Sequence, residues 1–167
     1  MAETQDNLKE AFAGESQANQ KYMAFARKAD EEGHAQVARL FRAAAAAETV
    51  HAQNHAEAMG IIGETLENLK AAAEGEAEEF QSMYPGFIKT AQTEGHEDAE
   101  ETFDFANQVE QIHHDLYNTA ISALESGQDI PERKMFVCRG CGNTVEDEAP
   151  DECPICGSPR SWFMAIQ

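Results

Sequence analysis

Small and apolar residues return every three or four positions through most of the chain, and glycines cut the pattern into segments. Ala11, Ala18, Tyr22, Phe25 and Ala29 form one stripe, Val37, Phe41, Ala44 and Ala58 a second, and Ala99, Phe103, Ala106, Tyr117, Ala120 and Leu124 a third. Steps of three and four put the members of a stripe on one helix face. Four helices are predicted: A from Thr4, its expected N-cap, to Glu32; B from His34 to Met59; C from near Thr65; and D ending near Ser126. Gly33, Gly60, Gly95 and Gly127 separate or end them, and Pro131 marks the stretch after helix D as linker. The pattern predicts an all-α four-helix bundle over 1–127, a linker over 128–134 and a small β/knuckle module over 135–167.

The chain also repeats itself. At an offset of 62, Tyr22, Phe25, Glu32-Gly33-His34, Phe41, Glu48 and His51 return as Tyr84, Phe87, Glu94-Gly95-His96, Phe103, Glu110 and His113. Earlier in each copy the offset is 61, since Gly14-Glu15 matches Gly75-Glu76. The second copy therefore has one residue more between Glu76 and Tyr84, where a π-type bulge or kink is expected ahead of Pro85.

Several stripe positions are charged. Glu15, Glu48, His51, Glu110 and His113 fall where only core residues belong, and an unpaired inward carboxylate is costly. Glu48-x-x-His51 and Glu110-x-x-His113 each direct a carboxylate and an imidazole to one point, because positions three apart share a helix face. Glu15 lies 18 residues before Gly33, and Glu48 and His51 lie 15 and 18 after it. Glu76 and Glu79 lie 19 and 16 before Gly95, with Glu110 and His113 15 and 18 after it. At about 1.5 Å per residue all seven share a level to within about one turn. Carboxylates and imidazoles without thiolates suit two iron or manganese ions. The expected assignment gives Glu15, Glu48 and His51 to one ion and Glu76, Glu110 and His113 to the other, with Glu48 and Glu110 bridging. Glu79 is read as a seventh ligand; the plainer alternative is a solvated helix glutamate. Tyr22 and Tyr84 are candidates for hydrogen bonds to ligand carboxylates, against an alternative as core tyrosines. His55 reads as a core histidine, and His34, His96 and His114 as surface residues.

A net charge of -19 argues against nucleic acid and anionic membranes as partners. No export signal is apparent and no apolar run is long enough to span a membrane. All four cysteines occur as Cys138-x-x-Cys141 and Cys153-x-x-Cys156, which fits a reducing, cytoplasmic setting. Their spacing is that of a four-thiolate site for zinc or a single iron. Gly140, Gly142 and Gly157 are expected at positive φ in the knuckles, with Phe136, Trp162 and Phe163 as a mini-core.

Together these motifs resemble rubrerythrin: Glu15…Tyr22, Glu48-x-x-His51, Glu76-x-x-Glu79…Met83-Tyr84-Pro85, Glu110-x-x-His113 and the paired C-x-x-C. The resemblance implies a ferritin-like di-iron domain followed by a rubredoxin-like FeS4 domain, with zinc a possible substitute on the cysteines. It implies an oxo- or hydroxo- and carboxylate-bridged iron pair, one iron of which exchanges His51 for Glu79 with redox state. It also implies a cytoplasmic peroxidase that reduces hydrogen peroxide to water in oxidative stress protection. Its electrons come ultimately from NADH through an external donor, rubredoxin or a reductase.

Two other classes compete, an iron-oxidising, ferritin-like iron-handling protein and a plain electron carrier. From His113 to Gly127 is 14 residues, or roughly 21 Å of helix. The cysteine module is thus expected to leave the bundle far from its own chain's site, although the linker from Gln128 to Lys134 could span about 24 Å if extended, enough in principle to fold back. Serving a neighbouring subunit head-to-tail, in a homodimer or larger homo-oligomer, is the easier route.

Overall fold

The computed structural model describes residues 2–167, which group into two compact units divided between Gly63 and Glu64. The first is a helical hairpin of α1 (Ala2–Glu31) and α2 (Ala35–Met59). Helix α1 is already running at Ala2, so Thr4 lies inside it and is not its cap. The turn places Gly33 at φ 81°, and the His34 N–H donates to the Ala29 carbonyl at 2.8 Å. That left-handed closure is what glycine permits at a helix C-terminus.

The seam inside this hairpin is alanine: Ala26, Ala29, Ala38, Ala45, Ala52 and Ala56 are buried. Small residues let two backbones approach closely, and the Asn19 amide crosses the seam to the Ala45 carbonyl at 2.7 Å and the Thr49 hydroxyl at 2.8 Å. The stripe expected to be core behaves differently. Phe25 and Val37 remain 47% and 45% exposed. The hairpin closes on its alanines, Ala29 of the stripe among them, and leaves Phe25 and Val37 on an adjoining, open face.

The second unit begins with a second hairpin. Helix α3 (Thr65–Glu78) starts with a capping box between Glu64 and Glu67 and runs into a π-helical turn, Glu79–Met83. Helix α4 (Tyr84–Glu94) continues from it and α5 (Glu97–Glu125) returns alongside. The wide turn sits where the repeat offset changes, so the extra residue is accommodated as a bulge and not as a break. Pro85 falls in the first turn of α4, where a missing N–H is tolerated. The two hairpins reproduce each other: Phe25–Phe41 and Phe87–Phe103 ring centroids are each 5.5 Å apart. His114, expected at the surface, is half-buried against Phe80, centroid to centroid 5.4 Å.

Residues 128–134 carry no helix or strand and lead into an antiparallel sheet of order β2-β1-β3. Its strands are β1 (Met135–Cys138), β2 (Thr144–Glu146) and β3 (Phe163–Ile166), with a 3₁₀ turn at Arg160–Trp162. Phe136 pairs with Val145 on one side and Ala165 on the other. The buried centre of this module is Cys138, Cys153, Asn143 and Ala149, whereas Trp162 is 50% exposed. The cysteine site, more than the aromatics, is its core. Gly142 and Gly157 have φ 85° and 71° as expected, but Gly140 does not have positive φ.

The module does not stay away from its own α5. The linker turns back and lays the first knuckle against that helix. Thr144 reaches His113, and Val109 lies 3.8 Å from where Gly142 would carry a β-carbon. Within the chain, seven linker residues suffice for this return.

Candidate metal centres

In the first unit Glu15 on α1 and Glu48 and His51 on α2 converge, their ligand atoms all within 4.8 Å of one another. His51 Nδ1 is 2.8 Å from Glu48 Oε2. In the second unit Glu76 on α3 and Glu110 and His113 on α5 converge within the same limit. His113 Nδ1 is 2.8 Å from Glu110 Oε2 and 3.8 Å from Glu76 Oε1. Each imidazole therefore turns the same nitrogen toward its carboxylates.

The second triad is electrostatically strained. Burial first, then the charge and hydrogen bond of Glu110, push the Glu76 carboxyl up to about 7. Glu79, on the π turn, is not one of the three converging residues but stands near them. Burial and Glu110 raise its pKa, and His113 partly offsets them. Burial, followed by Glu79, Glu110 and Glu76, raises the Tyr84 phenol. Tyr22 packs on Phe25 and Phe41, with both centroid distances 6.3 Å. Tyr117, read only as a stripe residue, is raised by burial and by Glu76 and Glu110. It sits one turn beyond His113, and that spacing was the available signal.

Among the described residues no lysine or arginine forms an ion pair with any of these glutamates; their partners are histidines. Carboxylates gathered without cations suit a hard or borderline metal such as iron or manganese. The donor set fits a metal.

The four cysteines also converge within 4.8 Å. Sγ–Sγ separations of 3.7 Å for Cys138–Cys156 and 3.6 Å for Cys141–Cys153 are far beyond a disulfide. Four sulfurs at about 2.3 Å from a tetrahedral ion would lie about 3.8 Å apart. Burial raises Cys153, but the Cys156 and Ile155 N–H groups and the Asn143 amide outweigh it and bring the thiol down to about 6. Burial drives Cys141 upward instead. Gly140 donates its N–H to Cys138 Sγ at 3.4 Å, and a β-carbon there would stand 2.5 Å from Ser158 Oγ and 3.1 Å from Cys156 Sγ. Space, not φ, requires that glycine.

Residues 6–121 match the family model described as rubrerythrin, and residues 136–164 match that of the rubrerythrin rubredoxin-like domain. The chain belongs to the rubrerythrin family. Its fold is accordingly a ferritin-like helical domain with a rubredoxin-like knuckle domain. Rubrerythrin-2 of Clostridium acetobutylicum is 34% identical, over 99% of this chain and 97% of its own length. Nigerythrin of Nitratidesulfovibrio vulgaris is 36% identical, over 97% of this chain and 86% of its own. The solved structure of fully reduced, all-ferrous nigerythrin gives a TM-score of 0.58 at 35% identity, covering 98% of this chain and 86% of that one. For a rubrerythrin, the two triads are the candidate di-iron ligands and the cysteines the candidate single-iron site.

Proposed function

We propose that this rubrerythrin reduces hydrogen peroxide to water at an iron pair held by Glu15, Glu48, His51, Glu76, Glu79, Glu110 and His113, with electrons returned through iron on Cys138, Cys141, Cys153 and Cys156. The observation that carries the reading is the duplicated Glu/Glu/His triad, with the four-cysteine knuckle in contact with one triad's histidine. Bound iron would supply two electrons and Lewis acidity for the reaction H2O2 + 2 e⁻ + 2 H⁺ → 2 H2O, and cysteine-bound iron a one-electron return route.

The protein's own residues set the conditions. The glutamates would neutralise and space the metal charge, and the two imidazoles turn Nδ1 toward the same carboxylates. Glu79 is the one carboxylate with no counterpart in the first hairpin, and it would be the residue to take the place of His51. The Tyr84 and Tyr117 phenols, held above their ordinary pKa, stay protonated at neutral pH and remain hydrogen-bond donors beside Glu76 and Glu110. The reductant is an external donor fed from NADH.

We also infer a homodimer. Ferritin-like bundles carry a long crossover, and α2, 25 residues, measures about 37 Å. The connection Gly60–Glu64 is five residues, with a reach of about 22 Å between helix ends. A second copy's hairpin therefore completes each bundle.

Anaerobic stopped-flow mixing of dithionite-reduced, iron-loaded protein with peroxide tests the function. Rapid return of the visible FeS4 bands, with about two electrons consumed per peroxide, is expected. Full iron loading without a fast reaction would overturn it.

A further inference from the structure

The two histidines differ in what holds their outer nitrogen. His113 Nε2 lies 2.9 Å from Thr144 Oγ1. The Thr144 hydroxyl donates its only proton to the Gly142 carbonyl at 3.2 Å. With a metal on Nδ1, Nε2 must carry the ring hydrogen, and the Thr144 oxygen then accepts it while the hydroxyl proton stays on the Gly142 carbonyl. Without a metal, Nδ1 at 2.8 Å from Glu110 Oε2 is placed to donate to that carboxylate, so the metal and the Thr144–Gly142 pair together select the Nε2–H form. That tautomer is the one a metal at the triad requires. In metal sites the outer ring nitrogen ordinarily donates to an oxygen that fixes ring orientation. His51 offers no equivalent: its side chain is 52% exposed and, among the described residues, only Glu48 engages it.

The oxygen that holds His113 comes from the cysteine module. Gly142 follows Cys141 directly and closes the first knuckle by donating its N–H to the Cys138 carbonyl at 2.8 Å. The chain Gly142 C=O, Thr144 O–H, His113 N–H thus joins the knuckle backbone to a metal-binding imidazole through two hydrogen bonds.

We propose that Thr144 is a positioning residue, supplied by the rubredoxin-like module, that locks His113 in the Nε2–H tautomer and orientation for metal binding and leaves His51 free to move. The proposal rests on the triads being metal sites. It makes the two imidazoles unequal through a contact outside the helices, a difference separate from Glu79 beside the second triad.

Zinc, which is diamagnetic, is the probe. The full chain is loaded with zinc, and ¹⁵N shifts and N–H exchange of the imidazoles are measured by NMR. Wild type is compared with Thr144→Val, which keeps the shape of the side chain, and Thr144→Ser, which keeps the hydroxyl. In wild type His113 should show metallated Nδ1 and a slowly exchanging Nε2–H, whereas the His51 Nε2–H should exchange fast. Thr144→Val should speed His113 Nε2–H exchange and weaken zinc at that triad about tenfold. Thr144→Ser should restore both. Equal exchange at the two histidines of wild type would overturn the proposal without any variant, as would unchanged exchange and affinity in Thr144→Val. Failure of zinc to shift either histidine in wild type would overturn the metal-site reading and this proposal with it.

Discussion

Glu76 carries the clearest electrostatic signature in the chain. Its folded pKa of about 7 lies above the ordinary value of 4.5. The metal-free fold therefore holds more protons than the unfolded chain between those values. Its contribution is complete below about pH 4.5 and is lost as pH rises toward 7. Subtracting the melting temperature of Glu76→Gln from that of wild type, both metal-free, should give a difference that falls from pH 4.5 to 8. A difference that rises would contradict the assignment. Gly140→Ala makes a second residue-scale prediction, because its β-carbon would meet Ser158 and Cys156. Overpacking of this kind costs about 1–3 kcal/mol, so metal on the cysteines should be lost at lower chelator concentration, with helix content unchanged by circular dichroism. The converging glutamates and histidines were legible in the sequence because burial of a carboxylate at helical spacing has few explanations. Thr144 was not, since its role depends on how a module docks, and no local pattern encodes that.

At the level of elements, the π turn was legible from arithmetic alone: one residue more in the second repeat must be absorbed between fixed anchors. The aromatic trio Tyr84, Phe87 and Phe103 holds one side of it, and Glu76, opposite Glu110, holds the other. Deleting Gln81 should convert the turn to regular α-helix and rotate Glu79 by about 100° relative to one anchor. Far-ultraviolet circular dichroism should stay unchanged while peroxide turnover falls at least as far as in Glu79→Ala. Turnover above that of Glu79→Ala would show that the turn serves packing only. The buried alanine seam was harder to foresee. Alanine appears on several faces of α2, and the sequence does not say which face meets α1 and which stays open.

For the whole molecule, chain length misled in one place and informed in another. Fourteen residues from His113 to Gly127 suggested a distant module, yet a short irregular segment brings the knuckle back beside that histidine. Gly60–Glu64, in contrast, cannot span a bundle, and this makes the homodimer testable. One chain carrying Glu15→Ala and Glu48→Ala and another carrying Glu76→Ala and Glu110→Ala should each be inactive. Mixed by unfolding and refolding together, they should form heterodimers with one intact centre and one doubly broken one, and peroxide turnover should return. If every centre were built from a single chain, the mixture would remain inactive. Light scattering on the same sample should report the mass of two chains.

The single extra residue in α3–α4 has a consequence for how the centre would look to a spectroscopist. Two hairpins with identical triads would surround two equivalent ions, giving one quadrupole doublet in the Mössbauer spectrum of the fully reduced state. Glu79, brought up by the π turn beside only one triad, removes that equivalence. Three nucleotides in the coding sequence are then enough to split one doublet into two, and to give an otherwise palindromic site a preferred direction.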